Sequence, residues 1–330
     1  MEITCSNENV QRQILVSICI PTYNRSAILK DTMQRITSDP AFDEEVELII
    51  SDNNSTDDTG DVVREFTDKY SNVRYYRNEE NVRDRNFQVV LSYAHGDYLK
   101  LQNDYIYFPE GQLAFMKECI RKYQSTRQPL FFIRKVRKEL AKQSEIVCNS
   151  LDEYIYTVSY YSTWLSSFGC WHEDFEALTE KDRYFYTSLQ QVDWIYRIVS
   201  SKNCAIIIHH NIFETTKLPL GPRGGYNYFG VHVGKYYEIM EDCMDAQLVS
   251  KPIFNKDRRY TLYMYRERFI RYLLFPKKGN YFEMDKSLLV IWHYYKRFPL
   301  FYLIMLVFIL ALILKIIYWP FKALVGLFKK

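Results

Sequence analysis

Glycine is scarce, with 11 residues in a chain of 330. That argues against collagen-like, linker-rich and glycine-loop architectures. Neither G-x-G-x-x-G nor G-x-x-x-x-G-K-[ST] occurs, so the usual dinucleotide fingerprint and the Walker loop are both missing. The seven cysteines (Cys5, Cys19, Cys119, Cys148, Cys170, Cys204 and Cys243) are odd in number and include no C-x-x-C pair. A disulfide framework and a zinc ribbon are thereby disfavoured, and free thiols in a reducing compartment are expected. The opening MEITCSNENVQRQ lacks the apolar core of a secretory signal, so the chain is expected to stay on the cytosolic side of any membrane it meets. Neither sign of charge dominates, with 43 basic against 40 acidic residues. A strongly basic nucleic-acid binder or an acidic tail protein is excluded at that level. What is plentiful is apolar: 48% of the residues are hydrophobic and 17% aromatic, 29 of them Tyr, enough for a substantial core.

The near-zero charge hides a division. Residues 251–330 hold 16 Lys/Arg and 4 Asp/Glu, a net +12, whereas residues 1–250 hold 27 and 36, a net −9. Two regions are expected: a globular domain over 1–250, with halves 12–135 and 136–250, and a basic helical region over 251–330.

Within the first half the hydrophobic period alternates. Leu15–Ile20, Val46–Ser51, Val73–Arg77, Tyr98–Leu101 and Leu130–Ile133 read as buried strands. Helical faces lie between them, at Ile28, Met33 and Ile36, then Val62, Val63, Phe66 and Tyr70, then Phe87, Val90, Leu91 and Ala94, then Phe115, Cys119 and Tyr123. The alternation predicts an α/β fold, a mostly parallel sheet flanked by helices. Ligands of such sheets sit beyond the carboxyl ends of the strands. Three polar clusters fall there: Pro21–Asn24, Asp52–Asp58 and Asn103–Asp104. From 150 to 235 the pattern is irregular and aromatic, with a turn-prone stretch at Leu218–Gly225.

Each cluster has a chemical and a plain reading. Asp52 can accept a hydrogen bond from a nucleobase or a ribose, or simply cap the following helix. Asp104 can hold Mg²⁺ or Mn²⁺ together with a diphosphate, or merely occupy a turn. Arg83 and Arg85 can pair with phosphate or a base, or be solvated surface charge. Trp164 and Trp171 can stack on a sugar ring or pack in the core. His209, His210 and His232 read as structural.

Val16-Ser17-Ile18-Cys19-Ile20-Pro21-Thr22-Tyr23-Asn24-Arg25 resembles the opening of family 2 glycosyltransferases of the GT-A fold. Glu47-Leu48-Ile49-Ile50-Ser51-Asp52-Asn53-Asn54-Ser55-Thr56-Asp57 resembles their second signature. Asn86-Phe87, Gly96-Asp97-Tyr98-Leu99 and Asn103-Asp104 resemble the third, which ends in an Asp-x-Asp-type metal motif. The match spans about 100 residues in order and reaches more loosely to about residue 235. It is nearest the capsule and O-antigen branch that includes abequosyltransferase-like enzymes.

The resemblance implies an inverting transfer of a sugar from a nucleotide-sugar donor to a glycan, in bacterial surface polysaccharide synthesis. Pro21, Thr22, Tyr23 and Asn24 would lie at the donor, with Thr22 and Tyr23 along the nucleoside. Asp52 would contact the base, and Arg83 the base or phosphates. Asn103 and Asp104 would occupy the metal motif, Asp104 ligating a divalent cation (Mn²⁺ or Mg²⁺). Where many relatives carry two or three Asp, this chain has Asn103-Asp104-Tyr105, one direct carboxylate. A general base belongs in the second half. Gln190-Gln191-Val192-Asp193, before Trp194, resembles a segment placed there and nominates Asp193, with Glu173 and Asp174 as rivals. A second reading is an inactive, membrane-tethered nucleotide-sugar-binding scaffold, supported by the depleted metal motif.

Phe298–Leu314 is a run of seventeen uncharged, mostly apolar residues. At 1.5 Å per residue it reaches roughly 26 Å, just short of a ~30 Å hydrocarbon core. With a snorkelling Lys315 the run extends to Trp319, giving a membrane segment over about 298–319. Trp292, Tyr294, Tyr295, Tyr302, Tyr318 and Trp319 flank it like an aromatic belt. Lysines and arginines stand on both sides, so a simple span and a re-entrant or in-plane helix remain alternatives. The basic stretch from Lys256 to Lys278 suits an anionic membrane or a lipid-linked acceptor, and the apolar run beside it explains that stretch better than nucleic acid does. The expected location is the cytoplasmic face of the cell membrane.

Overall fold

A computed structural model describes residues 13–216, 226–275 and 286–327, with side chains as far as residue 317. The turn-prone stretch 218–225, Lys277, Lys278 and the side chains of Tyr318 and Trp319 lie outside the described residues. In chain order the elements are β1 (Val16–Thr22), α1 (Ser26–Thr37), β2 (Val46–Asp52), α2 (Thr59–Thr67), β3 (Val73–Arg77), α3 (Asn86–Ser92), β4 (Tyr98–Leu101), β5 (Ile106–Tyr107) and α4 (Gln112–Gln124). Then come β6 (Leu130–Phe132), β7 (Glu145–Cys148), α5 (Leu151–Val158), β8 (Gly169–Trp171), α6 (His172–Ala177), α7 (Gln190–Lys202), β9 (Ala205–Ile208) and β10 (Glu214–Thr215). Four helices close the chain: α8 (Tyr236–Asp245), α9 (Lys251–Leu274), α10 (Ser287–Tyr295) and α11 (Pro299–Leu327).

The main sheet has the order β3-β2-β1-β4-β8, parallel except for β8, which runs antiparallel to β4. Every residue of β2 and β4 is buried, as expected of strands covered on both faces. The first four expected strands form in their expected places. The fifth does not join them: Leu130–Phe132 pairs with β9 in a separate sheet, β6-β9-β7. Its place in the main sheet is taken by β8. Gly169 permits this, because a Cβ there would lie 2.3 Å from the Tyr98 hydroxyl.

The strand order reverses at β1, which feeds β2 on one side and meets β4 on the other. This is the switch point where open parallel sheets leave a crevice. Helices cover both faces, Leu29, Met33 and Ile36 of α1 showing the i, i+4, i+7 burial of an amphipathic helix.

The division expected at residue 250 does not separate two cores. Phe254, Leu262, Tyr265 and Phe269 of α9, together with Tyr295 and Phe301, belong to the same buried cluster as Tyr154, Trp194 and Tyr236. The fully buried Asp257 accepts hydrogen bonds from Ser159 and from Tyr237 (3.1 Å). Burial pushes its carboxyl up to about 6.

Pro299–Ile317 in α11 is long and apolar enough to cross a membrane, with mean hydropathy 3.0. Phe301, which packs on Trp292 of α10, and Ile304 are buried, whereas ten apolar side chains from Tyr302 to Ile317 are at least 43% exposed. The helix thus buries one face on the protein and leaves the other bare.

Candidate active site

The carboxyl ends of β1 and β4 place Thr22 beside Asp104. Thr22 Oγ1 donates to Asp104 Oδ2 (3.1 Å), and Arg25 Nη1 donates to Asp104 Oδ1 (3.0 Å). Burial raises the Asp104 pKa, and the Arg25 charge works against that rise. Pro21, Thr22, Tyr23, Arg83, Asn103 and Asp104 all line one cavity of about 400 Å³. Six of the expected site residues are therefore brought together across some 80 positions of sequence.

Below Asn103 the scaffold is polar and hydrogen-bonded. Ser166 Oγ donates to Asn103 Oδ1 (2.8 Å) and accepts from the Asn103 N–H (3.0 Å). The loop carrying Ser166 is fixed by Lys100, whose ammonium is completely buried and donates to the carbonyls of Leu101 (3.0 Å), Phe168 (2.9 Å) and Ser166. Burial lowers its pKa to about 7.

Two donor-site expectations do not place their side chains in the cavity. Asp52 is wholly buried, its Oδ1 accepting from the Ser55 N–H (2.8 Å) and its Oδ2 from the Tyr75 hydroxyl (2.7 Å). Burial, then Asp52 itself, raises the Tyr75 pKa to about 12, so the phenol stays protonated and keeps donating. Asp52 organises the turn, and the neighbouring Asn53 reaches the cavity instead. Asn53 accepts from the Val82 N–H (2.9 Å) and donates to the Arg83 carbonyl (3.1 Å), holding the 81–83 loop over the crevice. Asn24 adopts a left-handed backbone (φ 51°) and binds the Thr56 N–H (2.8 Å), tying the two strand-end loops together.

The three nominated bases also lie elsewhere. Asp193 is 1% exposed and clamped between Arg183 and Arg197, the latter at 2.9 Å. It lines none of the described cavities. Glu173 and Asp174 border a different cavity at the junction of α6 and α7, where Lys202 approaches Asp174 at 3.1 Å. Trp171 is a core residue whose indole donates to the Gln128 carbonyl (2.7 Å).

The cleft contains a carboxylate that sequence reading passed over. Asp84 lines both the 400 Å³ cavity and an adjoining one of about 990 Å³. It accepts from Ser188 Oγ, and Gln190 donates to its backbone carbonyl. Burial raises its pKa, while Ser188 and Arg83 work against that rise. Gln191, two residues before Asp193, also lines the larger cavity, so the segment nominated from sequence does border the site through a different side chain. The larger cavity continues, through Thr163, Trp164 and His232, into a third of about 340 Å³ lined also by Tyr160, Tyr161, Tyr228, Arg134, Lys135 and Arg268. The only signal for Asp84 in the sequence was its place between Arg83 and Arg85.

For a divalent ion, Asp104 supplies one buried carboxylate at the switch point. No group of three or more His, Cys, Asp or Glu is gathered to hold a metal among the described residues. This donor set fits an ion shared with substrate phosphates, the usual manner of Mg²⁺, rather than one caged by protein. Arg25, 39% exposed, has room to yield its place on Asp104.

A mostly parallel sheet with this crevice is the GT-A architecture. Its likeness to solved structures agrees: the S. aureus TarS fragment 1–349 in complex with UDP-GlcNAc superposes with a TM-score of 0.57 at 15% identity, covering 86% of this chain and 82% of that one. Residues 17–125, a third of the chain, match Glycosyl transferase family 2. Abequosyltransferase RfbV of Salmonella typhimurium is 28% identical over 213 residues, 58% of this chain and 63% of that protein. A Methanococcus voltae dolichyl N-acetyl-α-D-glucosaminyl phosphate glycosyltransferase, transferring a diacetamido-dideoxy-glucuronosyl group, is 28% identical over 144 residues, 43% of this chain and 44% of that protein. The chain thus spans less than two thirds of the length of these relatives.

Proposed function

We propose that this protein is an inverting glycosyltransferase that moves a sugar from a nucleotide-sugar donor to a lipid-linked saccharide at a membrane surface, in the synthesis of a surface polysaccharide. The observation that carries this reading is the Thr22–Asp104 pair at the sheet's switch point, opening into an aromatic second cavity and, beyond it, a third lined by Arg134, Lys135 and Arg268. The donor occupies the 400 Å³ cavity, with Thr22 and Tyr23 along the nucleoside and Arg83 near the phosphates. Asp104 would hold a divalent cation together with the donor's diphosphate, and that ion, when bound, would neutralise charge on the leaving group.

The acceptor lies in the larger cavities. Trp164 and Tyr160 offer faces for sugar rings, and Arg134, Lys135 and Arg268 suit the phosphate of a lipid carrier. The names of relatives support a lipid-linked acceptor: one acts on a dolichyl-linked sugar phosphate, and another, from Campylobacter jejuni, on a saccharide carried by PP-undecaprenol. Asp84 acts as the base. It stands where the donor and acceptor cavities meet, and burial has made it more basic than an ordinary carboxylate. His232 also lines the acceptor cavities, but burial lowers its pKa to about 4, which makes it a poorer proton acceptor. The bare face of α11 lies on the membrane, on its cytoplasmic side.

The test is a screen of sugar nucleotides by thermal shift, with Mn²⁺ or Mg²⁺ present, followed by transfer assays on polyprenyl-linked acceptors. A bound donor raises the melting temperature by mass action. Asp104→Ala is expected to lose the metal-dependent part of that rise and most turnover. Full turnover by Asp104→Ala would sink the reading of the donor site.

A further inference from the structure

A cavity of about 340 Å³ that shares no lining residue with the cleft lies between α8, α9, α10 and the root of α11. Five basic side chains line it, Lys251, Arg258, His293, Lys296 and Arg297, against a single carboxylate, Glu241. Arg258 is only 8% exposed. Its guanidinium stacks on Phe254 (4.9 Å) and Phe298 (5.1 Å), and its Nε is buried without a hydrogen-bond partner. No carboxylate comes within ion-pair distance of it among the described residues, and Glu241 is engaged by the Tyr294 hydroxyl (3.3 Å). Burial pushes the Arg258 pKa down, Arg297 adds to that, and Tyr237 and the more distant Glu241 offset it only in part. A desolvated guanidinium with no anion in direct contact is costly, and a planar fork of donors is suited to phosphate.

The position of the cavity narrows the anion. Lys296 and Arg297 immediately precede α11, whose outer face is bare and apolar. An anion that reaches this cavity while its own apolar part lies against that face is an amphiphile. We propose that the cavity binds the phosphate of an anionic membrane phospholipid, with Arg258 as the inner contact and Lys296 and Arg297 at the rim. This rests on the membrane contact of α11 and not on glycosyl transfer.

The experiment uses the full chain in a neutral detergent. Its melting temperature is followed while titrating dihexanoyl phosphatidylglycerol, dihexanoyl phosphatidylcholine or inorganic phosphate, each below micelle-forming concentration. Saturable stabilisation by phosphatidylglycerol is expected, with none from phosphatidylcholine and a much weaker response to phosphate. The double variant Lys296→Gln/Arg297→Gln alters only exposed side chains, so it should melt like the parent without lipid. It should bind phosphatidylglycerol about fivefold more weakly per charge removed. Arg258→Gln, if folded, should lose the response. Equal responses to the two lipids, an equal response to free phosphate, or an unchanged affinity in the double variant would each overturn the proposal. Flotation on phosphatidylcholine vesicles with and without phosphatidylglycerol separates the two ideas. Floating equally on both would leave the membrane contact standing and the phosphate site refuted.

Discussion

At the scale of single residues, carboxylates have been given physical tasks that their sequence surroundings do not announce. Asp193 sits in the segment whose pattern suggested catalysis, yet two arginines neutralise it inside the core. Asp84 carries no pattern, yet it faces both halves of the cleft. Replacing Asp84 by Asn should lower kcat about 10²–10⁴-fold while leaving donor-induced stabilisation in place. Since burial raises the Asp84 pKa, the parent's rate should climb as the pH passes through that raised value, and the variant should lose this limb. A variant that kept the limb would clear Asp84 of the role.

Asp193→Asn should do the opposite. It leaves two arginines without their anion and costs about 2–3 kcal/mol in urea unfolding, less than a fully buried pair because Arg183 keeps some access to water. Turnover per folded molecule should be retained. Full stability with lost turnover would restore Asp193 as the base. The sequence could not separate these two residues, because what distinguishes them is which side chains face them across the fold. Asp52 teaches the same lesson: its position after a buried strand was legible, but the Tyr75 hydroxyl that occupies it comes from another strand.

At the scale of elements, four strands and their helices were legible because buried parallel strands are continuous apolar runs and the covering helices are amphipathic. The destination of Leu130–Phe132 was not, since an apolar run names a strand and not its partner. The close approach of β8 was set by the absence of a side chain at Gly169, and Lys100 then fixes the loop before it. The same lysine therefore supports Asn103 from below. Its folded pKa of about 7 lies under the unfolded value of 10.5, so between those two pH values the unfolded chain holds more protons. Stability from this group accordingly rises with pH from about 7 to 10.5. Comparing the parent with Lys100→Met by urea unfolding at pH 7.5 and 9 isolates that part from the tyrosines and cysteines that titrate in the same range. The parent should gain on the variant by about 1 kcal/mol per pH unit. A constant difference would mean that Lys100 titrates like an exposed lysine.

At the scale of the whole molecule, the length of the apolar run suggested a membrane span as readily as an in-plane helix, and only packing distinguishes them. α11 lies against α9 along much of its length: Phe298 meets Arg258 near one end, and Lys315 donates to the Leu274 carbonyl at the other. Arg259, Glu267 and Arg271 are exposed on α9 beside it. Were α11 to cross the bilayer, α9 would be carried to the same depth with its charges, each worth about 2.5–3.5 kcal/mol against insertion at the centre. Laid in the plane of the interface, the same pair puts the bare face of α11 among acyl chains and the charges of α9 among head groups. A tag placed after Lys330 should then remain on the side of the catalytic domain. In intact cells a membrane-impermeant reagent should leave it unlabelled, and in inverted vesicles it should label as readily as a tag at the amino terminus. Labelling from outside would show that the helix crosses, and that α9 must part from it in the membrane.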